Sequence, residues 1–352
     1  MRREGLRPLQ RTRRITTRLA SVAAAAAVLA VAHDGAAFCR TTTCPLPADF
    51  QPSAAACVPP GFAQYCASLT PPVPNPVPVW WKNACVGYSV QKDASRQVSY
   101  DDASQLLGKA FSKWTSATCA TSGTGSSRAT IDVRDLGPVS CGDVAYNQTA
   151  PNQHVIVFRD DAWPHNDSSN TLALTTIVFN PDSGELYDAD MEINSAQVKM
   201  TLVDPVPPDG YDFASIVTHE TGHFLGMAHS GDSHATMFAH YQTGSTAMRN
   251  LTADDVSGIC TIYAPDGTRT VDKSVVATGK VAADACDPTP RHGFASECGA
   301  AAPKKGCSVA RVGGEGRPQG LPLGATAAWA AVVMAARRAR RRAREARGDQ
   351  PS

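Results

Sequence analysis

Short alternations of apolar and polar residues, interrupted by turn residues, mark the middle of this chain as strand-rich. Residues 86–90 alternate with the period of two that is typical of a β-strand. Short apolar runs predict further strands at 131–133, 155–158 and 172–179. The turn Pro181-Asp182-Ser183-Gly184 then predicts a return strand at 187–194. The middle of the chain therefore contains a sheet.

Helical periodicity predicts three helices around these strands. Residues 101–114 carry an apolar stripe that we expect to be buried. Residues 213–226 follow Asp212, which can cap a helix, and place Val217, Phe224 and Leu225 on one apolar side. Thr252 opens a last helix to about residue 263, with Asp255 at the reciprocal capping position. Strands and helices in this order indicate an α+β domain.

The second of these helices, at 213–226, carries several side chains that can bind a metal ion or transfer a proton. His219 and His223 are four residues apart, so both imidazoles leave the same helix face at a spacing that suits a shared zinc ion. Glu220 lies beside the pair and can hold a metal-bound water. Gly226 can end the helix with positive φ and turn the chain so that His229 becomes a third ligand. Three ligands leave one zinc position open, as in catalytic sites.

This stretch, His219-Glu220-Thr221-Gly222-His223-Phe224-Leu225-Gly226-Met227-Ala228-His229, resembles the metzincin clan of zinc peptidases. Ser230 and Met237 narrow the resemblance to the matrixins, or matrix metalloproteinases, over residues 79–264. The resemblance implies a metzincin fold: a twisted mixed sheet, an active-site helix and a C-terminal helix. It places Met237 in a turn beneath the metal. It also makes Ala239, His240 and Tyr241 a wall of the substrate pocket, although Ala239 stands where the family usually has proline.

The resemblance implies a zinc-dependent endopeptidase with one catalytic Zn²⁺ and Glu220 as the general base that deprotonates a zinc-activated water. It also makes the strand at 172–179 the edge of the sheet, to which an extended polypeptide substrate adds by main-chain hydrogen bonds. A surface adhesin or envelope protein that contains zinc but does not cut its ligands is the alternative. We interpret His234 and His240 as rim residues of the substrate site.

Matrixins commonly bind a second, structural zinc on the strands at 172–179 and 187–194. Leu174 and Asp190 occupy two of the matching positions here, and His165 and Asp167 alone do not complete a site. We therefore expect no structural zinc of that kind. The carboxylates at Asp182, Asp188, Asp190 and Glu192 could bind Ca²⁺, but we favour a solvated acidic face.

Composition and charge indicate an exported protein with no nucleic-acid function. The 352 residues have a formal net charge of +1, but arginines are concentrated at the two ends. Residues 38–336 between them are acidic by about nine charges, which argues against nucleic-acid binding. Residues 1–37 have the basic, apolar and small-residue order of a signal peptide. All 11 cysteines follow it, which favours disulfides.

Two further segments flank the predicted catalytic domain. Residues 38–78 are rich in cysteine and proline and predict a stiff linker at 71–78. Cys44 lies in a Cys-Pro sequence faintly similar to the matrixin cysteine that silences zinc, but we favour a structural disulfide. Residues 265–320 are expected to be irregular.

The C-terminal end resembles a myxobacterial sorting signal. It consists of Cys307, the apolar run 321–336 and an arginine cluster within 321–352. Such a tail implies transient membrane attachment, a sorting or processing protease as partner, and a surface-attached or extracellular product.

Overall fold

The computed structural model describes residues 37–120, 128–270, 276–282, 284–297 and 308–314. These residues fall within one compact unit that spans 36–352. The tail at 321–352 and, apart from Ala37, the signal peptide lie outside the described residues. In the part of the chain that is described, no helix combines the length and the apolarity needed to cross a membrane.

The described chain forms thirteen strands. In chain order they are β1 Cys39–Arg40, β2 Cys85–Val90, β3 Asp132–Asp135, β4 Val155–Phe158, β5 Thr171–Phe179, β6 Leu186–Ile193, β7 Met200–Thr201, β8 Tyr211–Asp212, β9 Met227–Ala228, β10 His240–Tyr241, β11 Thr268–Thr270, β12 Val276–Lys280 and β13 Ser308–Gly314.

A seven-stranded mixed sheet has the order β10-β13-β5-β6-β4-β2-β3. Within its catalytic-domain part, β2, β3, β4 and β6 pair in parallel, and β5 runs antiparallel to β6. The three short pairs β1-β9, β7-β8 and β11-β12 lie outside this sheet. All strands predicted from the sequence are present, and no end differs from its predicted position by more than two residues.

Within the described ranges, four α-helices accompany the sheet: α1 Phe62–Ala67, α2 Tyr100–Thr115, α3 Phe213–Phe224 and α4 Ala253–Ile262, with a 3₁₀ turn at Ala247–Arg249. The predicted caps are confirmed. The Asp212 side chain accepts a hydrogen bond from the Ser215 amide at the start of α3, and Thr252 and Asp255 form a reciprocal capping box on α4. This α+β arrangement confirms the predicted metzincin fold.

The core lies where α2 and α3 pack on the sheet. Phe111 of α2 meets Phe224 of α3 edge to face at 5.1 Å between ring centroids. The Trp114 indole N–H donates to the carbonyl of Thr218 at 2.9 Å, which joins the two helices in a buried environment. Every residue of α3 except Ala214 is buried. The helix thus has no exposed polar side, because it lies between the sheet, α2 and the chain that follows it.

The C-terminal end of the predicted linker at 71–78 pairs with the N-terminal segment that precedes it. The Thr43 amide donates to Val77 at 2.9 Å, and the Val79 amide donates to Thr41 at 2.9 Å. Disulfides Cys39–Cys57 and Cys44–Cys66 tie this N-terminal segment to itself. Because Cys44 is disulfide-bonded, it has no thiolate to offer a metal, as we expected.

The expectation that residues 265–320 are irregular is wrong at three places. Strands β11 and β12 pair with each other, and β13 joins the main sheet. Apolar periodicity missed them because short strands held by main-chain hydrogen bonds need no alternating pattern. The disulfide Cys85–Cys286 fastens this part of the chain to β2.

Candidate metal and catalytic centre

Helix α3 and the turn after it bring three imidazoles together. His219 and His223 lie one turn apart on α3. Gly226, with φ of 94°, ends the helix, and the chain returns through β9 to His229. One donor nitrogen from each histidine lies within 4.8 Å of the other two. Among the described residues, this is the one group of three or more His, Cys, Asp or Glu side chains that could hold a metal.

Backbone carbonyls orient two of these rings. Nδ1 of His219 bonds to the carbonyl of Thr236 at 2.6 Å, and Nδ1 of His223 bonds to that of Met227 at 2.8 Å. A carbonyl oxygen only accepts, so each Nδ1 carries the proton and each neutral ring presents an Nε2 lone pair. Carbonyl partners of this kind fix the orientation of metal-binding histidines.

The Nε2 atoms of these two rings are arranged to bind a cation. Nε2 of His219 and Nε2 of His223 are 3.0 Å apart, a distance at which two lone pairs repel each other. Burial lowers the pKa of both imidazoles well below its usual value, and the neighbouring imidazoles lower it further. Protonation therefore does not relieve the repulsion near neutral pH. The residues present suit a tetrahedral zinc ion with one position left over.

Glu220 lies buried beside the trio with one oxygen held. Its Oε2 accepts a hydrogen bond of 2.5 Å from the hydroxyl of Thr175 on β5. Its Oε1 is buried and has no hydrogen-bond partner. Burial raises the pKa of Glu220 to about 8, and the Thr175 hydrogen bond opposes that rise. In its ionised form, a carboxylate with a raised pKa and one unoccupied oxygen is suited to accept a proton.

Met237 lies fully buried under α3. A Cβ atom added at Gly222 would come 2.3 Å from the Met237 sulfur, so glycine allows the turn to approach the helix. Asp255 of α4 holds this turn in place, because its carboxylate accepts hydrogen bonds from the amides of Thr236 at 2.8 Å and Met237 at 3.1 Å. The same turn supplies the carbonyl that orients His219.

The residues predicted for the pocket wall follow this turn. Ala239 and Tyr241 are buried, and His240 is exposed on β10. His234 is exposed, and its Nδ1 lies 3.2 Å from Asp232 Oδ1. Neither His234 nor His240 joins the trio.

The sequence analysis did not predict a set of hydrogen bonds near His229. The Asp254 carboxylate accepts the Ser230 hydroxyl at 2.7 Å and the Ala37 and Phe38 amides at 2.5 and 2.8 Å. Strand β1 pairs with β9, the two residues that precede His229. The N-terminal segment and α4 together therefore hold the loop that carries the third imidazole.

The acidic residues near β6 are not a solvated face. Asp188, Asp190 and Glu192 are buried, and only Asp182 of the predicted set is exposed. Glu192 accepts from Arg159 Nε and lies 2.7 Å from His165 Nε2, and Asp190 accepts the Val155 amide at 2.8 Å. The solvated-face interpretation was wrong because β6 lies inside the sheet, where buried carboxylates require protein donors.

His165 and Asp167, which we considered as ligands of a second zinc ion, both have protein partners. His165 is engaged with Glu192, whereas Asp167 lies in a turn with positive φ, where its side chain accepts from Asn170 at 2.7 Å. The expectation that the chain lacks the structural zinc stays a prediction.

Comparison with known proteins agrees with this geometry. A family model described as Matrixin matches residues 79–264. Matrix metalloproteinase-C of Caenorhabditis elegans is 25% identical over 188 residues, which cover 52% of this chain and 28% of that protein. Human matrilysin is 33% identical over 103 residues, covering 29% of this chain and 35% of that protein. Metalloendoproteinase 1-MMP of Arabidopsis thaliana is 27% identical over 193 residues, covering 53% of this chain and 45% of that protein. The chain thus spans less than half of each of these relatives.

Proposed function

This chain belongs to the matrixin family, and on that premise we propose that it is an exported zinc-dependent endopeptidase that cleaves polypeptides. The ligands in this proposal are the three clustered imidazoles, and the general base is Glu220. The convergence of three donor nitrogens within 4.8 Å, beside a buried carboxyl group, is the observation that carries it.

The residues around the trio have separate tasks in this mechanism. When bound, zinc supplies Lewis acidity that lowers the pKa of water towards neutrality and polarises a carbonyl group. Glu220 takes the proton of the attacking water at Oε1 and returns it to the leaving amine. Thr175 holds Oε2, so the carboxylate keeps its orientation during both transfers. The backbone carbonyls of Thr236 and Met227 keep two ligand rings in the metal-binding tautomer.

Polypeptide binding follows from the position of β5 and β10. Both strands belong to the matched family region, and the Thr175 hydroxyl on β5 contacts Glu220 directly. An extended peptide that pairs with β5 therefore passes beside the general base. We assign the pocket wall to Ala239, His240 and Tyr241, as the family resemblance implies.

Export is the second part of the proposal. Disulfides Cys39–Cys57, Cys44–Cys66, Cys85–Cys286 and Cys119–Cys260 are formed within the described chain. Bonds of this kind form in oxidising compartments. We propose that residues 1–37 are removed and that Cys307 with the 321–352 tail directs surface sorting. Mass spectrometry of the mature ends tests this: ends at residues 1 and 352 in the exported protein would contradict it.

A comparison of Glu220→Gln with the wild type tests the enzymatic proposal. We expect Glu220→Gln to retain one zinc per chain and to lose about 100- to 10,000-fold in hydrolysis of a fluorogenic peptide library. Glu297→Gln, which changes an exposed carboxylate, should match the wild type in both measurements. If folded, zinc-loaded wild type and Glu220→Gln are equally inactive, the non-catalytic adhesin becomes the better interpretation.

A further inference from the structure

The edge strand of the catalytic domain already carries a partner from the same chain. Strand β13 pairs antiparallel with β5, from Ser308 opposite Ile177 to Gly313 opposite Thr171. It then pairs in parallel with β10, where His240 is opposite Gly313 and Tyr241 is opposite Gly314. Both neighbours of β13 are the elements assigned above to substrate binding.

The register places β13 across the candidate catalytic residues. Ala310 is the Cα partner of Thr175, whose hydroxyl donates to Glu220. Opposite residues of an antiparallel pair lie about 4.5–5.5 Å apart at Cα, so the main chain of β13 passes close to the general base. Helix α3 also lies beside β13. The strand thus follows the path that an extended substrate would take.

Two strands cannot pair with the same edge of β5 at once. The described chain reaches Glu297 before β13 begins at Ser308, so a connection of about ten residues separates the strand from the domain. A short connection gives a tethered segment an effective concentration on the order of millimolar. A peptide that binds this edge with a Kd of roughly 0.1 mM would then occupy it about nine-tenths of the time.

We propose that residues 308–314 are a built-in pseudosubstrate that holds the peptide-binding edge of the intact chain closed. This inference rests on the proposed function, because the blocked edge is the one to which that function assigns substrate. Cutting the chain at or before Cys307 would release the strand from its covalent connection to the domain. A sorting protease that cuts at Cys307 would then also open the site.

Full-length chains with two adjacent prolines test this proposal. In Val309→Pro/Ala310→Pro, one of the two replaced residues directs its N–H towards β5, because successive residues of a strand point their amides to opposite sides. Proline removes that donor. Gln319→Pro/Gly320→Pro introduces the same change beyond the strand and is the matched control.

The pseudosubstrate predicts a specific kinetic pattern. With a fluorogenic peptide, the Val309→Pro/Ala310→Pro chain should show KM about tenfold lower than the wild type with kcat unchanged. The Gln319→Pro/Gly320→Pro chain should behave as the wild type. The peptide Ser-Val-Ala-Arg-Val-Gly-Gly should inhibit the Val309→Pro/Ala310→Pro chain competitively. Equal KM in all three chains, or cleavage of the wild-type chain within its own residues 308–314, overturns the proposal.

A binding measurement separates this inference from the proposed function. Fluorescence polarisation reports binding of a fluorescein-labelled Ser-Val-Ala-Arg-Val-Gly-Gly peptide to chains that also carry Glu220→Gln. Tighter binding to the Val309→Pro/Ala310→Pro chain than to the chain with an intact β13 supports a closed edge even if no chain hydrolyses peptides. Equal binding to both, or none to either, overturns it.

Discussion

The hydroxyl of Thr175 on β5 donates a 2.5 Å hydrogen bond to Oε2 of Glu220 on α3. The two residues are 45 positions apart in the chain, and both are buried. This contact fixes the carboxyl group relative to the strand on which a peptide would lie. It therefore links the position of the substrate to the position of the proposed base.

Removal of this hydroxyl should slow catalysis without loss of metal. Thr175→Val keeps a β-branched side chain and the main-chain pairing of β5. Because a hydrogen bond to a charged acceptor is worth about 1.5–3 kcal/mol, we expect kcat/KM to fall at least tenfold. Zinc content should stay at one per chain. Thr176→Val, one position along the strand on the opposite face, is the control, and an equal loss there would contradict the assignment.

The Asp255 carboxylate should support both stability and metal affinity. It accepts the amides of Thr236, Met237 and Thr252, and an amide side chain in its place has only one accepting oxygen. We expect Asp255→Asn to lose about 2–4 kcal/mol of unfolding free energy, because buried donors lose their acceptor. We also expect zinc affinity to fall about 10- to 100-fold, since Thr236 orients His219.

Thermal unfolding and competition with a chelator measure these two effects of Asp255→Asn. Asp101→Asn replaces an exposed aspartate in the first turn of α2 and should change stability by only a few tenths of a kcal/mol. An Asp255→Asn chain with wild-type zinc affinity would mean that α4 does not position the metal-binding turn.

The parts of the site that could be predicted from sequence are those whose determinants lie close together in the chain. The Asp212 cap and the Thr252–Asp255 capping box are signals over three residues, and both are present. The grouping of the three histidines spans eleven residues and one glycine turn. Local geometry decides such features, so a single sequence is sufficient to predict them.

The features that sequence analysis missed depend on distant contacts. Asp254 receives the Ala37 amide across 217 residues, and no local pattern indicates that pairing. The acids of β6 were interpreted as solvated because their partners, Arg159, His165 and the Val155 amide, lie about 30 positions away in the chain. Strand β13 was missed because main-chain pairing with an edge leaves little trace in side-chain pattern.

Protonation of buried His154 should destabilise the fold in mild acid. Burial lowers the pKa of His154 to about 4. The hydrogen bond to the carbonyl of Gly87 favours the charged form and opposes this shift. The unfolded chain, with a histidine pKa near 6.5, then binds more protons between about pH 4 and 6.5. The contribution of His154 to the unfolding free energy is fully present above pH 6.5. It is lost as the pH falls from about 6.5 to about 4, and the loss is at most about 3 kcal/mol.

Denaturant unfolding of His154→Gln and wild type, both with chelator present, isolates the His154 contribution. The wild type should lose more unfolding free energy than His154→Gln between pH 7 and pH 4. The Asp188 carboxylate, with Oδ1 3.7 Å from His154 Nε2, opposes the effect of burial and makes the stated loss an upper limit. Parallel pH profiles of the two chains would show that His154 is not the group responsible.

Two glycines in helices should respond to alanine with opposite signs. At Gly222 on α3, a new Cβ would come 2.3 Å from the Met237 sulfur and 2.7 Å from Trp114 Cζ2. Both neighbours are buried, so the turn that carries Met237 has to shift, and we expect Gly222→Ala to lose about 1–3 kcal/mol of unfolding free energy. Zinc affinity should fall with it, because the same turn holds His219 through the carbonyl of Thr236.

Gly108 on α2 offers the matched control for Gly222. It is exposed, and a new Cβ there meets nothing closer than the Tyr88 hydroxyl at 3.8 Å. Alanine is the better helix former by about 1 kcal/mol, so Gly108→Ala should raise the unfolding free energy by up to that amount and leave zinc affinity unchanged. Denaturant unfolding of both variants gives the two signs. A neutral Gly222→Ala would show that Met237 moves aside without strain, and the close approach of turn and helix would then not require glycine.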